Sequence, residues 1–150
     1  MQRLWHKKNY IISRYIAKAS VANRKYTPRI FSSTVQMIYE DNIKEIIKRA
    51  RKTGVGIIVN NGVNTKTNRK TLELASKFKE IKATLGIYPI DGLKMSESEI
   101  DKELENINKN RKKIVAIGEV GMDFKEDQEH FNRQKEIFQK MIRLSIKLDI

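Results

Sequence analysis

The residues best suited to chemistry stand in one stretch, Ala116-Ile117-Gly118-Glu119-Val120-Gly121-Met122-Asp123. Glu119 closes a short apolar run, Ile114 to Ile117, that itself follows the charged pair Lys112-Lys113. An Ile- and Val-rich run of that length reads as a strand buried on both faces. Gly118 and Gly121 bracket Glu119 and let the backbone turn sharply or pass close to a neighbour. Glu119 is therefore expected at the carboxyl end of a buried strand, the end where α/β folds bind ligands. In the plainest alternative it is a loop carboxylate exposed to water.

Other chemistry-bearing residues are sparse. The chain has no cysteine, which excludes a disulfide framework and a thiolate metal site. Its two histidines are His6 and His130. His130 is expected to be an exposed residue at the start of the last helix. No His-x-His pair, no Gly-x-Gly-x-x-Gly fingerprint and no phosphate loop ending in Gly-Lys is present.

The elements that must position Glu119 follow from hydrophobic spacing. Asp41 is a candidate cap for a helix with Ile43, Ile46, Ile47 and Ala50 on one face, basic residues at its end and Gly54 as its stop. Val55 to Asn60 reads as a strand, Thr67 as the start of a second helix, and Ile81 to Ile87 as the next strand. Ser96 with Glu99 forms a capping box for a helix striped by Ile100, Leu104 and Ile107. After the Ile114–Glu119 strand, a last helix is expected from about Glu129, and Asp149-Ile150 reads as the start of another strand. From Asp41 the order is thus α-β-α-β-α-β-α, the repeat of a parallel sheet. Ile30 to Tyr39 is a weaker strand candidate.

Charge is unevenly spread. The net charge is +13 over 150 residues. Met1 to Tyr39 holds eight basic residues and no acid; the other 111 residues hold 23 basic and 18 acidic. Basic surface favours phosphate-bearing partners, although a Lys-rich solvated surface is the plainer reading. Residues 1–33 read as a separate basic extension, with a possible helix from about Trp5 to Ala22. A transit-like leader, a stacking segment for single-stranded nucleic acid, a misassigned start and a plain surface extension all suit their composition. No apolar run approaches the roughly 20 residues of a membrane span.

Taken together in order, Asp41 to Gly54, Ile58-Val59-Asn60-Asn61-Gly62, Asn68 to Ala75, Leu85-Gly86-Ile87-Tyr88-Pro89, Ala116 to Asp123 and the Gln134-Lys135-Glu136 helix resemble the TatD family over about residues 39–150. The resemblance implies a (β/α)8 barrel, here an α/β partial TIM barrel of about the first four βα units within 34–150. It implies a hydrolase cutting phosphodiester bonds of DNA with divalent metal ions (Mg, Mn or Zn). In such a site two cations about 3.5–4 Å apart clamp the attacking and leaving oxygens. Of the family's ligands, the glutamate maps onto Glu119; Asp123 maps onto the aspartate of the same motif, as a residue behind the ligands or one fixing the loop. The histidine pair expected on the first strand is replaced by Ile30-Phe31-Ser32-Ser33-Thr34-Val35-Gln36.

Because a full barrel takes ~250 residues, the chain reads as an amino-terminal fragment, inactive alone, whose partners would be DNA and a complementary carboxyl-terminal fragment. The expected compartment is cytoplasmic, with no membrane contact. The competing reading is a non-catalytic, basic α/β protein that binds nucleic acid.

Overall fold

The structure, a computed structural model, describes residues 29–33 and 42–150. The possible helix near Trp5 to Ala22, and the Thr34-Val35-Gln36 end of the first strand candidate, lie outside these residues. Four strands form one parallel sheet in the order β1-β2-β3-β4: Arg29–Ser33, Val55–Asn61, Ile81–Leu85 and Ile114–Ile117. The sheet therefore reaches into the stretch set apart above as a basic extension. Parallel neighbours need a crossover, and helices supply it. These are α1 (Ile43–Lys52), α2 (Thr65–Lys77) and the pair α3 (Pro89–Leu93) and α4 (Glu97–Lys109); α5 (Phe131–Leu148) follows β4.

The alternation of each strand sorts side chains to two faces. Ile58 and Ile81 turn toward the helices and pack with Ile47 of α1 and Leu74 of α2. Ala83, Leu85 and Ile114 join Ile100 and Ile107 of α4 and Ile137 and Met141 of α5 in the larger cluster. Leu85, Ile100 and Ile107 are fully buried. At about 25 cal/mol per Å², these side chains carry most of the gain that holds the helices on the sheet.

Several boundaries differ from the sequence reading, each for a local reason. Helix α2 starts at Thr65 rather than Thr67, because Asn64 is its cap: the Asn64 side chain accepts from the Thr67 N–H, and Thr67 reaches back to the cap. A short helix, Pro89–Leu93, with proline at its first position, lies where the sequence reading assigns no element. Strand β3 ends at Leu85 and β4 at Ile117, where Gly86 and Gly118 begin the turns. Asp149, read as the start of a strand, instead caps α5 in the left-handed region with φ 52°. Ser96 and Glu99 form the expected capping box, and Gly54 ends the turn after α1 with φ 82°. Among the described residues, no helix is long and apolar enough to cross a membrane.

Candidate metal-site end of the sheet

The carboxyl ends of β2, β3 and β4 are tied together by backbone hydrogen bonds. The Gly118 N–H donates to the Leu85 carbonyl at 2.9 Å, and the Glu119 N–H to the Gly62 carbonyl at 3.1 Å. Gly62 N–H donates to Thr84 O at 2.9 Å, and Tyr88 N–H to Val63 O at 2.7 Å. Glu119 therefore stands where the three strand-end loops converge, half-buried, with a cis peptide bond preceding it.

The glycines that allow this approach are neither of the two that bracket Glu119. A Cβ on Gly86 would lie 2.6 Å from the Glu119 nitrogen, whereas a Cβ on Gly121 would meet nothing within 4 Å. A Cβ on Gly62 would lie 2.8 Å from the Asn68 Cα. The close approaches come from neighbouring loops: Gly86 passes against the Gly118–Glu119 backbone, and Gly62 against Asn68.

Asn68, fully buried on α2, acts as an extra strand partner for Gly86. Its Nδ2 donates to the Gly86 carbonyl at 2.9 Å, and its Oδ1 accepts the Gly86 N–H at 3.2 Å. The same Nδ2 donates to Glu103 Oε1 at 2.8 Å. Glu103, 1% exposed on α4, is held in addition by a two-pronged Arg69 guanidinium at 2.9 Å on each oxygen. A buried carboxylate is tolerable when it is paired and hydrogen-bonded in this way. The chain Arg69–Glu103–Asn68–Gly86 thus fixes the backbone against which Glu119 lies.

Asp123 turns into its own loop. Its Oδ2 accepts from the Tyr88 hydroxyl, and its Oδ1 accepts from the N–H groups of Lys125 and Glu126 at 3.1 Å. Its own N–H donates to Gln134 Oε1 at 2.7 Å, and Gln134 Nε2 donates to the Asp127 carbonyl at 2.9 Å. These bonds tie the loop after β3 to the loop after β4 and to α5. The Tyr88 hydrogen bond holds the Asp123 carboxyl below its ordinary value, and the backbone donors act in the same direction. In return Asp123 pushes Tyr88 up to about 12, with burial and the Glu119 charge adding to the shift. A raised pKa on a neutral acid means the contact stabilises the fold below the ordinary tyrosine pKa and is lost as pH rises through about 12. In an ultraviolet titration one tyrosine is expected to ionise last; Asp123→Asn should return it to the range of the others, and an unchanged late tyrosine would count against this contact.

His130 is exposed at the cap position of α5, with Nδ1 2.9 Å from Asp127 Oδ2. That carboxylate raises the His130 pKa. His130 thus serves the turn before α5 and does not come to Glu119; His6 lies outside the described residues.

The polar side chains that these strand ends carry include amides and hydroxyls engaged with other residues of the sheet and helices. Asn61 Oδ1 accepts from Thr84, Asn60 Nδ2 donates to Thr71 at 2.8 Å, and Tyr88 is taken by Asp123. Among the described residues, no group of three or more His, Cys, Asp or Glu comes together. One carboxylate with neutral oxygen neighbours does not make a divalent-metal centre, so the described residues do not by themselves fit the ion set implied by the family.

Sequence reasoning did not single out Asn68, Glu103, Tyr88 or Gln134 as supports of this end. A signal existed for two of them. Glu103 falls on the buried stripe Ile100–Ile107, and Gln134 lies at helical spacing from Ile137 and Met141. A polar residue on a buried stripe must have a partner inside.

The family described as TatD related DNase matches residues 33–150. A parallel βα sheet with a glutamate at the end of its fourth strand accords with that match. This chain belongs to that family. It is 39% identical over 111 residues to an uncharacterized metal-dependent hydrolase of Methanocaldococcus jannaschii, covering 74% of this chain and 43% of the relative. It is 27% identical over 106 residues to the 3'-5' ssDNA/RNA exonuclease TatD of Salmonella typhimurium, covering 71% and 40%. The fold matches the crystal structure of the TatD homolog YjjV from Escherichia coli with a TM-score of 0.72 at 24% identity, over 81% of this chain and 48% of that one. The fold is thus part of a TIM barrel, and the match covers about two fifths of the length of these curated relatives.

Proposed function

We propose that this chain supplies the glutamate end of a divalent-metal phosphodiesterase site acting on DNA, and that the site's remaining donors come from outside the described residues. The observation that carries this reading is the place of Glu119. It sits at the carboxyl end of β4, inside the family-matched stretch, and its backbone is clamped by the loops after β2 and β3. The polar groups of Arg69, Glu103 and Asn68 fix the Gly86 backbone beside Glu119, and a network of this kind is costly unless the position matters. Among the described residues β1 and β4 are the outer strands of the sheet. An outer strand offers unpaired N–H and C=O groups to a further strand. The occupant favoured here is a complementary carboxyl-terminal segment that completes the barrel and brings imidazole donors to Glu119. The metal would be Mg, Mn or Zn.

The test is a nuclease assay on labelled single-stranded DNA with added Mg²⁺ or Mn²⁺. The chain alone is expected to leave the DNA intact. Adding the carboxyl-terminal part of the Methanocaldococcus relative should restore cleavage, and Glu119→Ala should abolish the restored activity. Metal-dependent cleavage by the chain alone would overturn the reading.

A further inference from the structure

Helix α5 presents different chemistry on its two flanks. Its buried stripe, Gln134, Ile137 and Met141, lies against the rest of the fold. To one side of that stripe Arg133 and Lys140 reach α4, Arg133 Nη1 pairing with Glu97 at 2.6 Å and Lys140 Nζ with Asp101 at 2.7 Å. Phe131, Phe138, Ile142 and Ile146 succeed one another at spacings of seven, four and four residues, so they share one line along the helix. At about 3.6 residues per turn that line falls on the other side of the buried stripe and faces away from α4. Phe131, Ile142 and Ile146 are the exposed large hydrophobics among the described residues, and Ile146 is 74% exposed. Helix α4 crosses from β3 to β4, so the direction away from it leads past β4, an outer strand among the described residues.

Helix α1, beside the other outer strand, has a smaller counterpart. Ile43, Ile47 and Ala50 pack into the core, and Arg51 reaches Glu80 just before β3. Ile46 lies on the other side of that stripe from Arg51, half-buried and in neither core cluster. It therefore faces away from β3, past β1. An apolar flank beside an outer strand thus occurs at both ends of the described sheet, and the two ends fit each other. A twofold rotation about an axis along the strands keeps every strand parallel. It sets β4 of one copy beside β1 of the other, twice over. Four strands and four make the eight of a (β/α)8 barrel and leave no edge open. The same patches meet at both seams, the self-complementary form of a twofold dimer.

We propose that the chain closes on a second copy of itself as a twofold dimer of half-barrels, with α5 of each copy against α1 of the other, and that this dimer is the resting form which the complementary carboxyl-terminal segment displaces. Helices α1 and α5 both end at the start of the sheet's next strand level, which sets Ile46 of one copy opposite Ile142 of the other. The dimer is silent by its own composition. The second copy repeats the same strand ends, so from the described residues it adds another Glu119 to the mouth and no imidazole, His130 being at the start of α5. The same edges then serve two occupants in turn, a copy that leaves the centre incomplete and a segment that completes it. The role as resting form rests on the metal-site reading; the association itself does not.

The test is sedimentation velocity of the full chain across a dilution series, with a chelator present so that no metal contributes. The expected species has twice the 17.5 kDa of one chain. Ile142→Glu/Ile146→Glu puts charge on the apolar line at two exposed positions and should weaken the dimer by about 100-fold or more. Arg143→Glu, on the outward face of α5, should leave it unchanged; equal circular dichroism spectra establish that all three chains are folded. The chain has no cysteine, so Ile46→Cys/Ile142→Cys gives a readout of the seam that needs no loss of stability. A short thiol cross-linker should join two copies of the double variant and neither single variant. A monomer at every concentration, a dimer untouched by Ile142→Glu/Ile146→Glu, or a double variant joined no more than the singles would overturn the proposal. An excess of the carboxyl-terminal part of the Methanocaldococcus relative should convert the dimer to a one-to-one complex, and a dimer that persists would overturn its role as the resting form. Displacement of the dimer with no gain of cleavage would leave this inference standing and sink the metal-site reading; a monomeric chain that the segment still activates would do the reverse.

Discussion

Asn68→Leu is expected to destabilise the protein by about 3–5 kcal/mol, although leucine nearly matches asparagine in size. The side-chain amide of Asn68 is the partner of both the Gly86 N–H and the Gly86 carbonyl, at 3.2 and 2.9 Å. Leucine removes both partners at once, and each orphaned buried group costs about 1–3 kcal/mol. Glu103 loses one donor in addition, keeping Arg69 and Asn106. For a domain of ordinary stability, about 5–15 kcal/mol, this is a large share of the total. Urea denaturation with an unchanged slope measures it. Hydrogen exchange gives the local readout, because protection should fall first at Gly86 and Glu119. A loss under about 1 kcal/mol would mean that water replaces the amide and that the network does not hold the strand end.

Gly86→Ala probes the same contact from the other side. The added methyl would stand 2.6 Å from the Glu119 nitrogen. Its neighbour is backbone, which cannot rotate away as a side chain can. Strands β3 and β4 must separate at their ends, and the Gly118-to-Leu85 hydrogen bond at 2.9 Å is the first to be strained. Overpacking of this kind costs about 3 kcal/mol. Gly121→Ala is the internal control, because nothing lies within 4 Å of the added methyl; it should change stability by less than about 0.5 kcal/mol. Equal losses for the two substitutions would contradict the packing described at Glu119.

Much of the architecture was legible in the chain because it rests on short-range rules. The apolar runs at Ile57–Val59, Ile81–Leu85 and Ile114–Ile117 are strands, and the helices between them follow a helical stripe. The Ser96–Glu99 box is written within four residues, and both of its bonds are present. Helix Pro89–Leu93 was not legible, since five residues are too few for periodicity to show. Asp149-Ile150 was misread because an aspartate before an isoleucine suits a strand start and a helix cap equally; the α5 carbonyls at Ser145 and Ile146 decide it.

Around the site, Glu119 could be singled out from its own neighbours, but its supports could not. Asn68, Glu103 and Gly86 meet through separations of 18 and 35 residues, and no local pattern announces such a meeting. Tyr88 and Asp123 are likewise 35 residues apart. The polar residues that matter most here are interior ones, each meaningful only through its partner. The glycine pair around Glu119 drew attention as the source of close approach, whereas the tight contacts are made by Gly86 and Gly62 from neighbouring loops.

The central proposal is that Glu119 is one donor of a metal centre completed by a complementary carboxyl-terminal segment. Calorimetric titration with Mn²⁺ tests it most directly, on the purified chain alone and after mixing with the carboxyl-terminal part of the Methanocaldococcus relative. The account predicts no saturable binding by the chain alone, stoichiometric binding by the mixture, and its loss in the mixture made with Glu119→Ala. Saturable Mn²⁺ binding by the chain alone that disappears in Glu119→Ala would contradict it, because the centre would then be assembled from this chain's own residues.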